Sequence, residues 1–133
     1  MQDRTTAHDR AAFTLAGEWM VVNTVEETTY AAYKNLRVAF RLVIRQQGET
    51  FEAEGEKYLE NGQSLPVAAR SPITIQGTLA EGAVIEATFR EAGRSRPTHG
   101  RFRLTRLSPT QLRGTFATTA ADASGFSQWV RVQ

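Results

Sequence analysis

The chain contains no cysteine. That excludes disulfides and thiolate metal ligands, so only a packed core can hold the fold together. No apolar run reaches about 18 residues, so no segment reads as a membrane-spanning helix. The opening MQDRTTAHDRAAF is polar and charged and lacks the apolar stretch of a secretory signal. On that reading the protein is cytoplasmic if the chain is complete, and periplasmic or secreted if a leader has been removed. Histidine is almost absent, with only His8 and His99. No His/Asp/Glu group has ligand spacing on one face, so no metal is expected. No glycine-rich loop opens a helix, so no phosphate cradle and no cofactor is implied. Lysine is scarce as well: Lys34 and Lys57 stand against fourteen arginines. Helical periodicity is nearly missing throughout.

What is present is alternation. LRVAFRLVIR (36–45) puts Leu36, Val38, Phe40, Leu42 and Ile44 on one face and Arg37, Arg41 and Arg45 on the other. Gln47-Gly48 reads as a two-residue turn. TFEAEGEKYLE (50–60) then returns with Phe51, Ala53, Gly55, Lys57 and Leu59 inward and Glu52, Glu54 and Glu56 outward. This register sets Ile44 against Phe51, Leu42 against Ala53 and Arg41 against Glu54. Asn61-Gly62 marks the next turn. ITIQGTL (73–79) and AVIEATFRE (83–91) form a second hairpin around Ala80-Glu81-Gly82, with Gly82 left-handed. There Ile73 faces Phe89, Ile75 faces Ala87 and Gly77 faces Ile85. Three further strands follow at 98–107, 111–119 and 126–132, and the first strand runs from Gly17 to Val25.

Eight consecutive strands with mostly short turns predict an all-β fold, an eight-stranded antiparallel up-and-down β-barrel. Each strand has one apolar face, which closure buries while leaving no edge. Glycines inside strands (Gly55, Gly77, Gly100 and Gly114) permit the sharp bends of barrel corners. The alternative is a β-sandwich, with residues 26–35 and 61–72 as its long crossings. By length this is one domain, residues 13–133, behind a flexible tail at residues 1–12 that carries His8.

LAGEWMV (15–21) carries a resemblance. A Gly-x-Trp at the start of the first of eight meandering strands resembles the calycin superfamily of lipocalins, fatty-acid-binding proteins and avidins. In lipocalins this tryptophan closes one barrel end, and a late arginine stacks on it. The resemblance therefore implies that Trp19 and Arg131 are a barrel-closing pair. The lipocalin Thr-Asp-Tyr motif is not matched, and Trp19 and Trp129 are too few for an avidin-like biotin site. GEK (55–57), GRF (100–102) and RGTF (113–116), with the arginine-rich turn after FRE, are similar to small bacterial lipocalin-like proteins of unsettled function.

Alternation and the resemblance together imply a non-catalytic barrel holding a small apolar or amphipathic molecule. Its candidate ligand-binding residues are Lys57, Tyr30, Tyr33, Phe40, Leu42, Phe89, Phe102, Phe116 and Gln128. Lys57 falls on the inward face, where it either snorkels to water or anchors a carboxylate or phosphate. Tyr30 and Tyr33, three apart, form a plug or a lid over the mouth. The small inward residues Ala53, Gly55, Gly77, Ala87, Gly100 and Gly114 suggest interior space. Two rivals stand beside this reading. One is a small-barrel cyclase or isomerase, which needs a titratable pair inside such as Lys57 with a carboxylate. The other is a packed barrel acting through oligomerisation or its basic surface. Five glutamates in 49–60 and seven arginines in 90–113 give one acidic and one basic patch. Nucleic acid is disfavoured as a partner, because Phe89, Phe102 and Phe116 alternate inward rather than lying among the arginines.

Overall fold

The computed structural model describes residues 14–80, 84–92 and 96–132. The tail expected at 1–12 with His8, Gly82 with its expected left-handed conformation, and Arg94 of the basic group lie outside the described residues. Among the described residues nine strands form one sheet: β1 (Gly17–Glu27), β2 (Arg37–Gln47), β3 (Thr50–Glu60), β4 (Gln63–Ser64), β5 (Pro72–Leu79), β6 (Val84–Ala92), β7 (Pro97–Ser108), β8 (Gln111–Thr118) and β9 (Ser124–Arg131). All pairings are antiparallel, in the order β2-β1-β9-β8-β7-β6-β5-β3-β4. A further pairing of β2 with β3 closes the ring. The fold is thus the eight-stranded meander barrel, not the sandwich. The extra strand β4 is a two-residue flap on the end of β3, where Glu60 pairs Gln63. The turn between them has φ +50° at Asn61 and +79° at Gly62, the double left-handed geometry for which Asn-Gly is suited.

Residues 61–71 do not cross to another sheet. They loop out and return to the same edge of β3, where Glu56 pairs Pro72. Within them the Leu65 N–H donates to the carbonyl of Tyr58, which is buried outside the core cluster with the Arg41 guanidinium 4.4 Å from its ring centre. A bulge places Ala39 opposite Leu59 and Phe40 opposite Lys57, which leaves Tyr58 the extra residue and brings Glu60, not the expected Leu59, to the interior side.

Two registers differ from the sequence expectation by the same amount. The first hairpin turns at Gly48-Glu49, so Ile44 meets Ala53, Leu42 meets Gly55 and Arg41 meets Glu56. Gly48 has φ +63° at the first central position of the turn, a conformation glycine takes without strain. In the second hairpin Ile73 meets Glu91, Ile75 meets Phe89 and Gly77 meets Ala87, with Ala80 donating its N–H to the Val84 carbonyl. Moving a turn centre by one residue slides every partner by two. The apolar face survives such a slide, which is why alternation cannot detect it.

The ion pairs shift with the register. Arg45, not Arg41, pairs Glu54 at 3.2 Å and Glu52 at 3.7 Å, while Glu56 pairs Arg70 at 3.2 Å. On β9 the inward face is Gly125, Ser127 and Trp129; Phe126, Gln128 and Val130 point out.

The core is packed toward one barrel end. Trp129 is fully buried, with its ring 5.2 Å from Phe102 and 6.5 Å from Trp19, edge to face in both cases. The Trp19 indole donates to the Leu15 carbonyl at 2.8 Å, which brings residues 14–16 under that end. Arg131 lies across it with its guanidinium 4.6 Å from the Trp19 ring centre. The same guanidinium donates to the carbonyls of Pro109 (3.2 Å), Ala16 (2.7 Å) and Thr14. One planar cation therefore ties the N-terminal strap, the β7–β8 turn and the tryptophan face. Arg131→Ala is expected to cost about 1–2 kcal/mol, since it removes a partly exposed cation–π contact and three charge-assisted bonds. Urea unfolding measures it. Arg131→Lys should recover little, because a lysine cannot make the planar fork.

Candidate functional site

The other half of the barrel is not filled. A cavity of about 310 Å³ opens there, walled by Val25, Val38, Phe40, Phe89, Phe116 and Ala123 among others. It lies where β1, β3, β6 and β8 end and β2 and β9 begin. Two connections cross this end. The β1–β2 link carries a 3-10 turn at Ala31–Tyr33, and the β8–β9 link one at Ala120–Asp122. They are tied together by Thr28, whose hydroxyl donates to the Ala121 carbonyl at 2.7 Å. Both links contribute to the wall, through Tyr33 and Leu36 on one side and Ala120 and Ala121 on the other.

The rim is charged. Lys57 Nζ lies 3.7 Å from a carboxylate oxygen of Glu60 and 3.7 Å from one of Glu91. All three residues line the cavity. The Glu91 side chain is only 14% exposed and also accepts a hydrogen bond from the Ser71 hydroxyl at 2.5 Å. One ammonium between two carboxylates leaves the rim with a formal charge of −1. Lys57 is thus partnered within the protein rather than presented alone to an incoming anion.

Of the residues proposed from sequence, the structure brings Lys57, Tyr33, Phe40, Phe89 and Phe116 together around this cavity. Tyr30 stacks edge-on against Tyr33 at 5.9 Å but is 59% exposed and stands outside the lining. Leu42 and Phe102 belong to the packed half. Gln128 is exposed on the outer face, so its expected inward position is corrected. Strand β9 has large apolar residues on both faces, and alternation alone could not orient it. The small residues expected to leave space do not line the cavity either. The Phe51 ring covers Gly77, the Phe89 ring covers Gly100, and neighbouring backbone fills the space beside Gly55 and Gly114. Outside the barrel, Arg101 and Arg103 are exposed, and Arg103 reaches Glu86 at 4.0 Å.

Sequence reasoning missed Asn23, Ser127 and Glu91. Each stands on the inward parity of its strand, beside Val21 and Val25, Trp129, and Phe89 respectively. A polar residue in phase with an apolar face was the available signal. Asn23 and Ser127 sit directly opposite each other on β1 and β9, and both are buried.

These features define a class: a small closed β-barrel, packed at one end and hollow at the other. No protein-family model matches the chain, and no curated protein matches it. Solved structures do. The chain is similar to a redesigned β-barrel, mFAP1, bound to DFHBI, at 14% identity and TM-score 0.65 over 88% of this chain and 94% of that one. It is similar to EF1p2_mFAP2b bound to DFHBI, at 13% identity and TM-score 0.67 over 90% and 94%. A de novo designed fluorescence-activating β-barrel matches at 8% identity and TM-score 0.64 over 88% and 93%. At these identities the likeness is one of fold alone.

Proposed function

We propose that the protein binds one small, apolar or amphipathic, uncharged molecule in the open half of its barrel. The observation that carries this is the division of the interior. One half is packed around Trp19, Phe102 and Trp129, while the other keeps a cavity of about 310 Å³ with apolar walls and a charged rim. That volume is at the lower end of the range of about 300–1,000 Å³ for ligand sites. Eight-stranded barrels either fill themselves with side chains or hold one small ligand, and this chain does one in each half. That similarly folded barrels bind the dye DFHBI supports the reading as precedent for the architecture. The Gly17-x-Trp19 opening with Arg131 over the ring supports a calycin-like construction of the closed end.

The rim argues against an anionic head group. An incoming carboxylate meets a site of charge −1 whose ammonium is already shared between Glu60 and Glu91. The test is a matched pair of fluorophores. N-phenyl-1-naphthylamine is neutral, and 1-anilinonaphthalene-8-sulfonate is the same ring system with an anionic group. The neutral probe is expected to bind about ten-fold more tightly, the effect of roughly 1.4 kcal/mol of unfavourable charge. Ala123→Phe, whose ring would enter the cavity from an extended backbone position, should abolish binding without unfolding the protein. Absence of saturable binding by the neutral probe would count against the reading. So would binding that survives Ala123→Phe.

A further inference from the structure

The cavity has one polar side chain at its floor, Asn23, and its partners fix which end of the amide faces inward. Asn23 is 3% exposed and stands on β1 between Val21, which belongs to the packed half, and Val25, which lines the cavity. Across the β1–β9 pairing lies Ser127. The Trp129 indole N–H donates to the Ser127 oxygen at 3.0 Å, and the Ser127 hydroxyl donates to Asn23 Oδ1 at 2.6 Å. The chain of donors has one direction. An indole N–H can only donate, so the serine oxygen accepts there and its own proton must go onward. Turning the Asn23 amide over would set an N–H against the serine hydroxyl, whose proton is directed at Asn23. It would also leave the hydroxyl proton without an acceptor. The network therefore holds Oδ1 toward Ser127 and turns the NH2 group away from it.

That NH2 group has no hydrogen-bond partner among the described residues. Yet no fully buried side-chain nitrogen or oxygen there lacks a partner. Asn23 is buried apart from the cavity it lines, so the cavity is where its amide nitrogen is open. Two N–H donors thus face an apolar space, held in place from behind by a tryptophan and a serine. A buried donor that is already desolvated and oriented discriminates strongly between ligands that satisfy it and ligands that do not.

We infer that Asn23 is the recognition group for an acceptor oxygen at the inner end of the ligand, and that the ligand class is an uncharged apolar molecule carrying a carbonyl, as in a ketone, ester or amide. This rests on the ligand-binding reading above and adds the polarity and position of the contact. A carbonyl oxygen only accepts, so it can take an N–H of Asn23 without bringing a proton of its own that needs a partner. A hydroxyl would have to find a separate acceptor for its proton, and the Asn23 oxygen is turned away toward Ser127. A carboxylate would have to pass the rim of charge −1.

The experiment uses two neutral naphthalene probes on the whole protein. Prodan carries a ketone, and its emission reports hydrogen bonding to that oxygen; N-phenyl-1-naphthylamine has no carbonyl. Asn23→Leu keeps the approximate volume and removes the donors. It is expected to weaken Prodan binding about ten-fold and shift the bound emission to the blue, while the naphthylamine stays within about two-fold. Equal effects on both probes, or none on either, overturn the assignment of Asn23 while leaving the binding barrel standing. If neither probe binds the folded wild type, the ligand-binding reading itself falls and this inference with it. Because Asn23→Leu strips Ser127 of its acceptor, the variant can fail to fold. The wild-type side-chain amide resonances of Asn23 supply the second readout. Prodan is expected to move them downfield by more than the naphthylamine does, and their indifference to Prodan overturns the inference.

Discussion

Trp129→Ala is expected to destabilise the protein by about 3–5 kcal/mol, the cost of emptying a large aromatic site in a packed core. That would remove a large part of a typical domain's total stability of about 5–15 kcal/mol. It corresponds to a fall in melting temperature on the order of 15 °C for a chain of this size. The expectation follows from what the ring touches. It is fully buried, it meets Phe102 and Trp19 edge to face, and its N–H anchors the Ser127–Asn23 chain. Truncation removes the ring and also leaves the Ser127 oxygen without its donor, so a polar loss adds to the cavity. Phe126→Ala is the control. Phe126 stands on the same strand three residues earlier, faces outward and is 52% exposed. Its loss should cost no more than about 1 kcal/mol. Guanidinium unfolding of the two variants side by side decides the matter. Similar costs for both would mean that β9 does not present the face described.

The contrast between these two aromatics also marks where sequence reading reached its end. Strands β2, β5, β6 and β7, and β3 as far as Lys57, have one apolar and one polar face, and alternation alone oriented them. Strand β9 reads Phe126, Trp129, Val130 and Val132, with large apolar groups in both phases, and only its neighbours orient it. Partner identity was illegible for another reason. A hairpin centred one residue away keeps every side chain on its face, so the apolar pattern is blind to it. The choice is made by the left-handed φ of Gly48, a property of the turn rather than of the strands. The cavity was legible only in part. Phe40, Lys57, Phe89 and Phe116 are in phase with the interior, but nothing local says which end of the barrel is packed. That depends on Trp19, Phe102 and Trp129 meeting from β1, β7 and β9. The partners of Lys57 were hidden similarly. Glu60 is local, but Glu91 comes from β6, and the β3–β5 and β5–β6 registers bring it to the same rim. Asn23 was visible as a polar residue among Trp19, Val21 and Val25. Its meaning depends on Ser127, 104 residues away in the chain.

Gly55→Ala is the second large effect, expected to cost 3 kcal/mol or more, at the upper limit of about 1–3 kcal/mol for overpacking a core. A methyl group built on Gly55 would lie 1.7 Å from the Arg41 carbonyl oxygen, 2.7 Å from its carbon and 3.0 Å from Leu42 Cα. All three are backbone atoms, so no side chain can rotate aside. Strand β2 would have to move, and it is held by β1 on its other edge, where Arg41 pairs Met20 and Leu42 pairs Trp19. The contact also falls within the β2–β3 pairing, and a closed ring needs every one of its pairings. Strain there opposes closure and not merely local packing. Gly48→Ala separates this cause from the general cost of replacing a glycine. A methyl group at Gly48 meets nothing within 4 Å, and only its φ of +63° opposes the change. That backbone penalty is about 1 kcal/mol. The two variants, compared by guanidinium unfolding, should therefore differ several-fold in cost, with Gly55→Ala the worse. Equal costs would show that β2 and β3 do not approach this closely at Gly55, and the close seam described for the barrel would be wrong.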